Sequence, residues 1–285
     1  MRLDEYDTSE RYAATVLSTE RITSPSSEDE VRELVLELEK RSAAFEVGQS
    51  VGVIAPGDPA FGQHEHLRLY SIADLPESDA THERITICVK RCSYIDEYSG
   101  EEYKGVASNF LCDRSKGDAL TLAGPYGMPF QVPQENEANL IMIGTGTGIA
   151  PFRTLIKHIF HNMPDWLGAV RLFYGARSGL ELLYMNDERD DFSQYYDRET
   201  FEAVQALSPR PSWDAPIAWH TALEERAEEL VDMLGEPLTY VYVAGLEEVR
   251  DELDHVLGKI MESDESWQRR KAELVAGGRW VELLY

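Results

Sequence analysis

The sequence predicts two domains of different class: an antiparallel β-barrel or sandwich, then an α/β domain built on a parallel sheet. Three observations carry this reading. At 285 residues the chain is long for one hydrophobic core and ample for two. Its first half shows no long helical periodicity, only short strand-like runs broken by turn formers. From Asn139 onward short apolar runs alternate with helical ones, which calls for a parallel sheet with right-handed crossovers.

In the first half the strand-like runs are Tyr12–Leu17, Val31–Glu39, Ser50–Ile54, Arg68–Ile72, Arg84–Arg91 and Ala119–Ala123, with bends at Gly48–Val53 and Gly124–Gly127. The polar segment Val132–Ala138 reads as a linker, so the domains are expected over residues 1–132 and 139–285. In the second half Leu140–Ile143, Val170–Tyr174, Ile217–His220, Tyr240–Ala244 and Trp280–Leu284 read as strands covered on both faces. Between them Phe152, Leu155, Ile156, Ile159, Phe160 and Met163 recur at helical spacing. So do Ala227, Leu230, Val231 and Leu234, and then Val249, Leu253, Val256, Leu257 and Ile260.

Composition narrows the function. The chain has 52 acidic and 27 basic residues, a formal charge of -25, which disfavours nucleic acid and anionic membrane as partners. The basic residues are seven lysines and twenty arginines. An acidic, lysine-poor surface suits concentrated salt, and an ordinary acidic cytosolic protein fits as well. No run approaches the roughly 18 to 20 apolar residues of a membrane helix, and Met1–Tyr6 is too polar for a signal peptide, so a cytoplasmic protein is expected. Cys88, Cys92 and Cys112 cannot pair evenly and are read as reduced thiols. His64 with His66, and His158 with His161, have spacings a metal accepts but lack carboxylate or thiol partners nearby, so no metal is expected.

Two segments carry chemistry. Gly144-Thr-Gly-Thr-Gly148 follows an apolar strand and opens a helix, where glycines let a backbone approach a pyrophosphate and the helix start attracts its charge. The spacing is Gly-x-Gly-x-Gly, which is not the usual dinucleotide fingerprint. Arg68-Leu69-Tyr70-Ser71 places a cation and an aromatic on one side of a strand and a hydroxyl on the other, enough to hold a phosphate and a ring.

These segments, with Cys88–Arg91, Gly105–Leu111, Gly144–Phe152, Leu172–Ser178, Leu182–Tyr184, Tyr240–Leu246 and the terminal Trp280–Tyr285, resemble the plant-type ferredoxin-NADP reductases in order and spacing. The likeness spans roughly Val47 to Tyr285. It implies an FAD-binding antiparallel β-barrel followed by an NADP(H)-binding α/β domain, with NAD the weaker alternative. Arg68 is then expected on the FAD pyrophosphate, Tyr70 against the isoalloxazine and Ser71 near its reactive nitrogen. Cys88, Val89 and Lys90 belong to the next FAD segment, Tyr94 would meet the adenine, and Val106, Ala107 and Ser108 would meet the pyrophosphate through a helix start. Thr147, Gly148, Gly245 and Leu246 would bind the nicotinamide nucleotide. Ser208 and Arg210 would contact its 2'-phosphate, with Trp219 as an adenine platform. Ser71, Glu282 and Tyr285 are the candidate catalytic residues, the terminal ring covering the flavin. The implied partner is ferredoxin or a flavodoxin-like carrier; the reductase component of an oxygenase and a flavin-bound subunit with little turnover are the alternatives.

Three departures stand against the likeness. The family usually has cysteine where this chain has Ala244. Its ending usually reads Trp-x-x-Glu-x-Tyr, whereas here the glutamate comes one place early, at Glu282. A shift of one residue turns a strand side chain to the opposite face, so either a bulge restores Glu282 or its role is absent. Pro209 stands where the family has arginine. An acidic chain and an acidic carrier also repel, which leaves two expectations: salt screens them, or Lys90 and Arg91 form a local positive patch.

Overall fold

Leu34, Leu36 and Leu38 alternate with less buried neighbours along one strand, and this period of two sets the first half of the molecule. The computed structural model describes every residue except 1–5, 40–43, 58–61, 63, 96–97, 99, 128–129 and 212–214. Its chain packs as two units, Met1–Gln131 with Arg153–His158, and Val132–Phe152 with Ile159–Tyr285.

The first unit contains β1 (Arg11–Arg21), β2 (Val31–Glu39), β3 (Ser50–Pro56), β4 (Glu65–Ser71), β5 (Glu77–Ser78), β6 (His82–Lys90), the hairpin β7 (Ser93–Ile95) and β8 (Glu102–Lys104), helix α1 (Val106–Cys112) and β9 (Ala119–Tyr126). Seven strands form one antiparallel sheet in the order β4-β3-β9-β1-β2-β6-β5. Ile72, just past β4, bridges Ile87 of β6, and the Ala73 amide donates to the Thr86 carbonyl at 2.8 Å. The sheet therefore curls as a barrel does, around Val16, Leu34, Leu36, Val51, Val53, Ile85 and Leu122. Within this unit Arg153, 1% exposed, donates to the Ala73 carbonyl at 2.5 Å and pairs with Asp74 at 2.9 Å and Glu33 at 3.4 Å. A buried guanidinium persists only when its charge and donors are matched in this way.

The second unit contains β10 (Asn139–Thr145), α2 (Ile149–Asn162), β11 (Val170–Ala176), β12 (Phe201–Leu207), α3 (Trp219–Glu224), α4 (Ala227–Gly235), β13 (Thr239–Gly245), α5 (Glu248–Ile260), α6 (Asp264–Ala276) and β14 (Trp280–Leu284). Its five parallel strands run β12-β11-β10-β13-β14. The chain order reverses at β10, so the carboxyl ends of β10 and β13 flank a topological switch point, where open α/β sheets bind ligands.

Two expectations are corrected here. Ile217–His220 is not a strand. It leads into α3, and the fifth strand is Phe201–Leu207 instead, an edge strand whose mixed burial gave no clear apolar run. Helix α6 was not foreseen, because among its thirteen residues only Trp267 and Leu274 are buried. No described helix is long and apolar enough to cross a membrane.

Candidate functional site

On the first unit the candidate groups gather around edge strand β4. Pairing of Val53 with Arg68 and Val51 with Tyr70 puts both side chains on the side of the sheet that carries the core. Arg68 is exposed and, among the described residues, has no ion pair, whereas Arg11, Arg84 and Arg91 are all matched with carboxylates. Tyr70 packs against the barrel core, and burial pushes its phenol far above the ordinary value, so it stays a neutral ring. Ser71 is half-buried at the strand's end, paired with Ser50.

Next to it lies the start of α1. Gly105 precedes the helix without a side-chain cap, so the amides of Val106, Ala107 and Ser108 are the free donors that any helix start presents. The Ser108 hydroxyl accepts from the Cys92 amide at 3.2 Å and donates to the Gly105 carbonyl at 3.3 Å. Asn109 was not foreseen as part of the site. Its amide nitrogen donates to the carbonyls of both Cys92 and Gly105 at 2.8 Å, and its oxygen accepts from Arg91 at 3.0 Å, which ties the strand leaving β6 to the helix. Tyr94, 60% exposed on β7, stacks on Tyr103 of β8 with ring centroids 5.4 Å apart. Tyr103 was missed because its partner strand carries no apolar pattern.

On β6, Cys88 and Val89 are buried. The Cys112 thiol, lying under the Val89 carbonyl, is pushed up to about 11 by burial and stays protonated. Lys90 pairs with Asp29 at 2.5 Å, and Arg91 with Glu30 at 2.8 Å and Asp113 at 2.9 Å. The expected positive patch is thus neutralised by acids from the β1–β2 turn and the end of α1.

On the second unit the glycine-rich turn sits at the switch point. Gly146 has φ +52° and begins a single turn of 3-10 helix that runs into α2. A Cβ on Gly148 would stand 2.5 Å from the Ala244 carbonyl oxygen. Gly245, with φ +132°, lies against Thr145, whose hydroxyl accepts the Leu246 amide at 3.2 Å. The Tyr174 hydroxyl donates to the Gly146 carbonyl at 2.9 Å and accepts from the Leu183 amide, fixing the turn from below. Tyr285 docks here as well. Its amide donates to the Gly245 carbonyl at 3.0 Å, and its hydroxyl lies 2.6 Å from that of Thr147.

At the end of β12, Ser208 is buried. Its hydroxyl donates to the Ala215 carbonyl at 2.6 Å and accepts the Arg210 amide, so it is occupied in closing the loop. Arg210 is exposed, and Arg177, also exposed, donates to the Pro211 carbonyl of the same loop at 3.2 Å. Arg177 follows directly after β11 at the ligand-binding end of the sheet, a position from which it was readable. Trp219 is no platform. It is 1% exposed and fills the space left by Gly175, whose Cβ would collide with the indole.

A family model described as an oxidoreductase NAD-binding domain matches residues 142–253. Across 97% of its length the chain is 34% identical to the chloroplastic leaf isozyme 1 of ferredoxin-NADP reductase from Oryza sativa subsp. indica, covering 77% of that protein. It is 30% identical over 93% of its length to a ferredoxin-NADP reductase of Thermosynechococcus vestitus, covering 70% of it. This chain belongs to the ferredoxin-NADP reductase family. The fold agrees. The ferredoxin-NADP reductase structure from Plasmodium falciparum superposes with a TM-score of 0.72 at 19% identity, over 99% of this chain and 98% of that one.

Against the family pattern, the register of β13 with β14 runs without a break from Val241 paired with Trp280 to Gly245 paired with Leu284. No bulge restores Glu282. It lies on the side of Trp280, which donates to it at 2.7 Å, and it binds Arg250 at 2.7 Å and Lys271 at 3.5 Å, on the face turned away from Ala244. Burial alone would raise its carboxyl, but Trp280, Arg250 and Lys271 outweigh burial and hold it below the ordinary value. The position on the Ala244 face is taken by Leu283, paired with Ala244 itself.

Proposed function

We propose that this chain is an FAD-dependent oxidoreductase exchanging electrons between NADP(H) and a one-electron carrier, ferredoxin or flavodoxin, with its flavin half in residues 1–132 and its nucleotide half in residues 139–285. The observation that carries the reading is the glycine-rich turn at the β10–β13 switch point, exposed at Gly146, where Gly148 and Gly245 let the main chain pack closely against Ala244 and Thr145 and Tyr285 stands beside it. Bound FAD supplies the conversion between a hydride and single electrons, which no side chain here performs. The chain's own part is to bind and orient.

The residues of the first unit fit FAD. Arg68 and the α1 amides offer charge and donors to a pyrophosphate, Tyr70 a neutral ring face, Tyr94 with Tyr103 a stacked surface for an adenine, and Ser71 a hydroxyl to the ring system. On the second unit the start of α2 takes the nucleotide pyrophosphate. Arg210 and Arg177, held around the loop that Ser208 closes, supply the cations that favour a 2'-phosphate over a 2'-hydroxyl. Free thiols at Cys88, Cys92 and Cys112 support a cytoplasmic setting. The test is direct: purified protein should be yellow, release FAD on denaturation, and reduce ferredoxin with NADPH in preference to NADH. A colourless protein with no spectral change on FAD titration would sink the reading.

A further inference from the structure

The two residues that follow Ser71 are bound on every main-chain group. Both Ile72 and Ala73 are 0% exposed, so water reaches none of their peptide atoms. The Ile72 amide donates to the Gln49 carbonyl at 3.0 Å, and the Ala73 amide to the Thr86 carbonyl at 2.8 Å. Their carbonyls are taken by side chains of a helix. The stretch Arg153–His158 of α2 packs within the first unit, where the Thr154 hydroxyl donates to the Ile72 carbonyl at 2.7 Å and the Arg153 guanidinium to the Ala73 carbonyl at 2.5 Å. Asp74, the next residue, pairs with Arg153 at 2.9 Å and with Lys157 at 2.5 Å. Thr154 is 0% and Arg153 1% exposed. A carbonyl buried this deeply has no water to replace a lost donor, so removing the donor either costs the full desolvation of the group or displaces the chain.

We infer that Thr154 and Arg153 are positioning residues for the Ser71 hydroxyl. By fixing both carbonyls just past the end of β4 they hold the main chain from which that hydroxyl leaves, while Ser71 itself is half-buried and paired with Ser50 on β3. The inference rests on the flavin role proposed for Ser71. It gives two hydroxyls different tasks: Ser71 meets the flavin, and Thr154 acts only through Ser71. Loss of the Thr154 hydroxyl is expected to slow flavin reduction by about two- to tenfold, the range of one hydrogen bond between neutral groups. Once the Ser71 hydroxyl is gone, the same loss should add nothing, because the group being positioned is no longer there.

The experiment compares the full chain with Thr154→Val, which deletes the hydroxyl and keeps the shape, with Thr154→Ser, with Ser71→Ala, with the Ser71→Ala, Thr154→Val double variant, and with Val16→Ala, a cavity in the barrel core. Amide hydrogen exchange is read without flavin; the visible spectrum and stopped-flow reduction by NADPH are read on the FAD-loaded chain. Expected for Thr154→Val are faster exchange at Ile72 and Ala73 with β1 unchanged, a shifted flavin spectrum, and reduction slowed about two- to tenfold at an unchanged half-saturating NADPH concentration. Thr154→Ser should restore all of these, and the double variant should be no slower than Ser71→Ala. Val16→Ala should lose stability with no shift in the spectrum. Wild-type exchange, spectrum or rate in Thr154→Val overturns the inference, as does an additive double variant or the same spectral shift in Val16→Ala. Should Thr154→Val fail to fold, Arg153→Lys decides in the same assays, since it keeps the charge but gives up the fork that reaches Ala73 and Asp74 together. Wild-type protein that takes up no FAD overturns the functional reading and the inference with it, whereas FAD uptake beside an unaffected Thr154→Val overturns the inference alone.

Discussion

In the first unit several candidate binding groups are side chains that reach solvent, Arg68, Tyr94 and Tyr103, whereas the centre of the second unit's site is a main-chain turn where Gly148 and Gly245 leave no room for a side chain. The difference is physical. A side chain that binds from the surface contributes little to folding, so it can be lost without cost to stability. A turn that binds through its backbone is part of the packing, so damage to it is felt by fold and ligand together.

The largest break should come at Gly245→Ala. It forces a side chain into φ +132° and against Thr145, costing about 3 kcal/mol or more in chemical denaturation and abolishing nucleotide binding. Arg68→Ala is the counterpart on the other unit. It should leave the denaturation midpoint within about 0.5 kcal/mol of wild type while FAD dissociates roughly tenfold to a hundredfold more readily, as loss of a charge-assisted hydrogen bond implies. A large stability loss at Arg68 would erase the contrast between the units.

Two smaller effects sharpen it. The acidic chain should be steadier and should reduce an acidic carrier faster as salt rises from low to near-molar, since Lys90 and Arg91, the cations expected to form a docking patch, are already neutralised by Asp29, Glu30 and Asp113. Stopped-flow rates that fall steadily with salt would restore a local patch. The smallest effect concerns Glu282. Its carboxyl is depressed in the folded state, so its contribution is present above the unfolded value of about 4.3 and is lost as pH falls through the lower folded value. Glu282→Gln should lower stability by about 1 kcal/mol at neutral pH and flatten the profile on the acid side, where a curve unchanged from wild type would refute the assignment.

Much of this was legible in the sequence because it was periodic or glycine-punctuated. Leu34–Leu38 alternates and becomes a core strand; Leu155, Ile156 and Ile159 recur at helical spacing and become the buried face of α2. What was not legible depended on partners far away in the chain. Trp219 reads as a surface platform until Gly175, 44 positions earlier by residue number, is seen to make room for it. Ser208 reads as a phosphate ligand until Ala215 claims its hydroxyl. Asn109 is one polar residue in a short helix, and only the fold brings the Cys92 carbonyl to it. Glu282 is the middle case: period two put it on the wrong face, and the unbroken register of β14 decided the matter.

That register has a consequence for anyone wishing to restore the family's polar pair. Ala244 and Leu283 look like two separate losses, but they are direct neighbours on adjacent strands, one apolar contact made of two changes. Ala244→Cys alone would set a thiol against leucine, and Leu283→Glu alone would put a carboxylate against a methyl group in a position where the alanine is wholly buried. Neither replacement alone recreates the family's arrangement; only the joint replacement is a fair trial of what that pair would do in this scaffold.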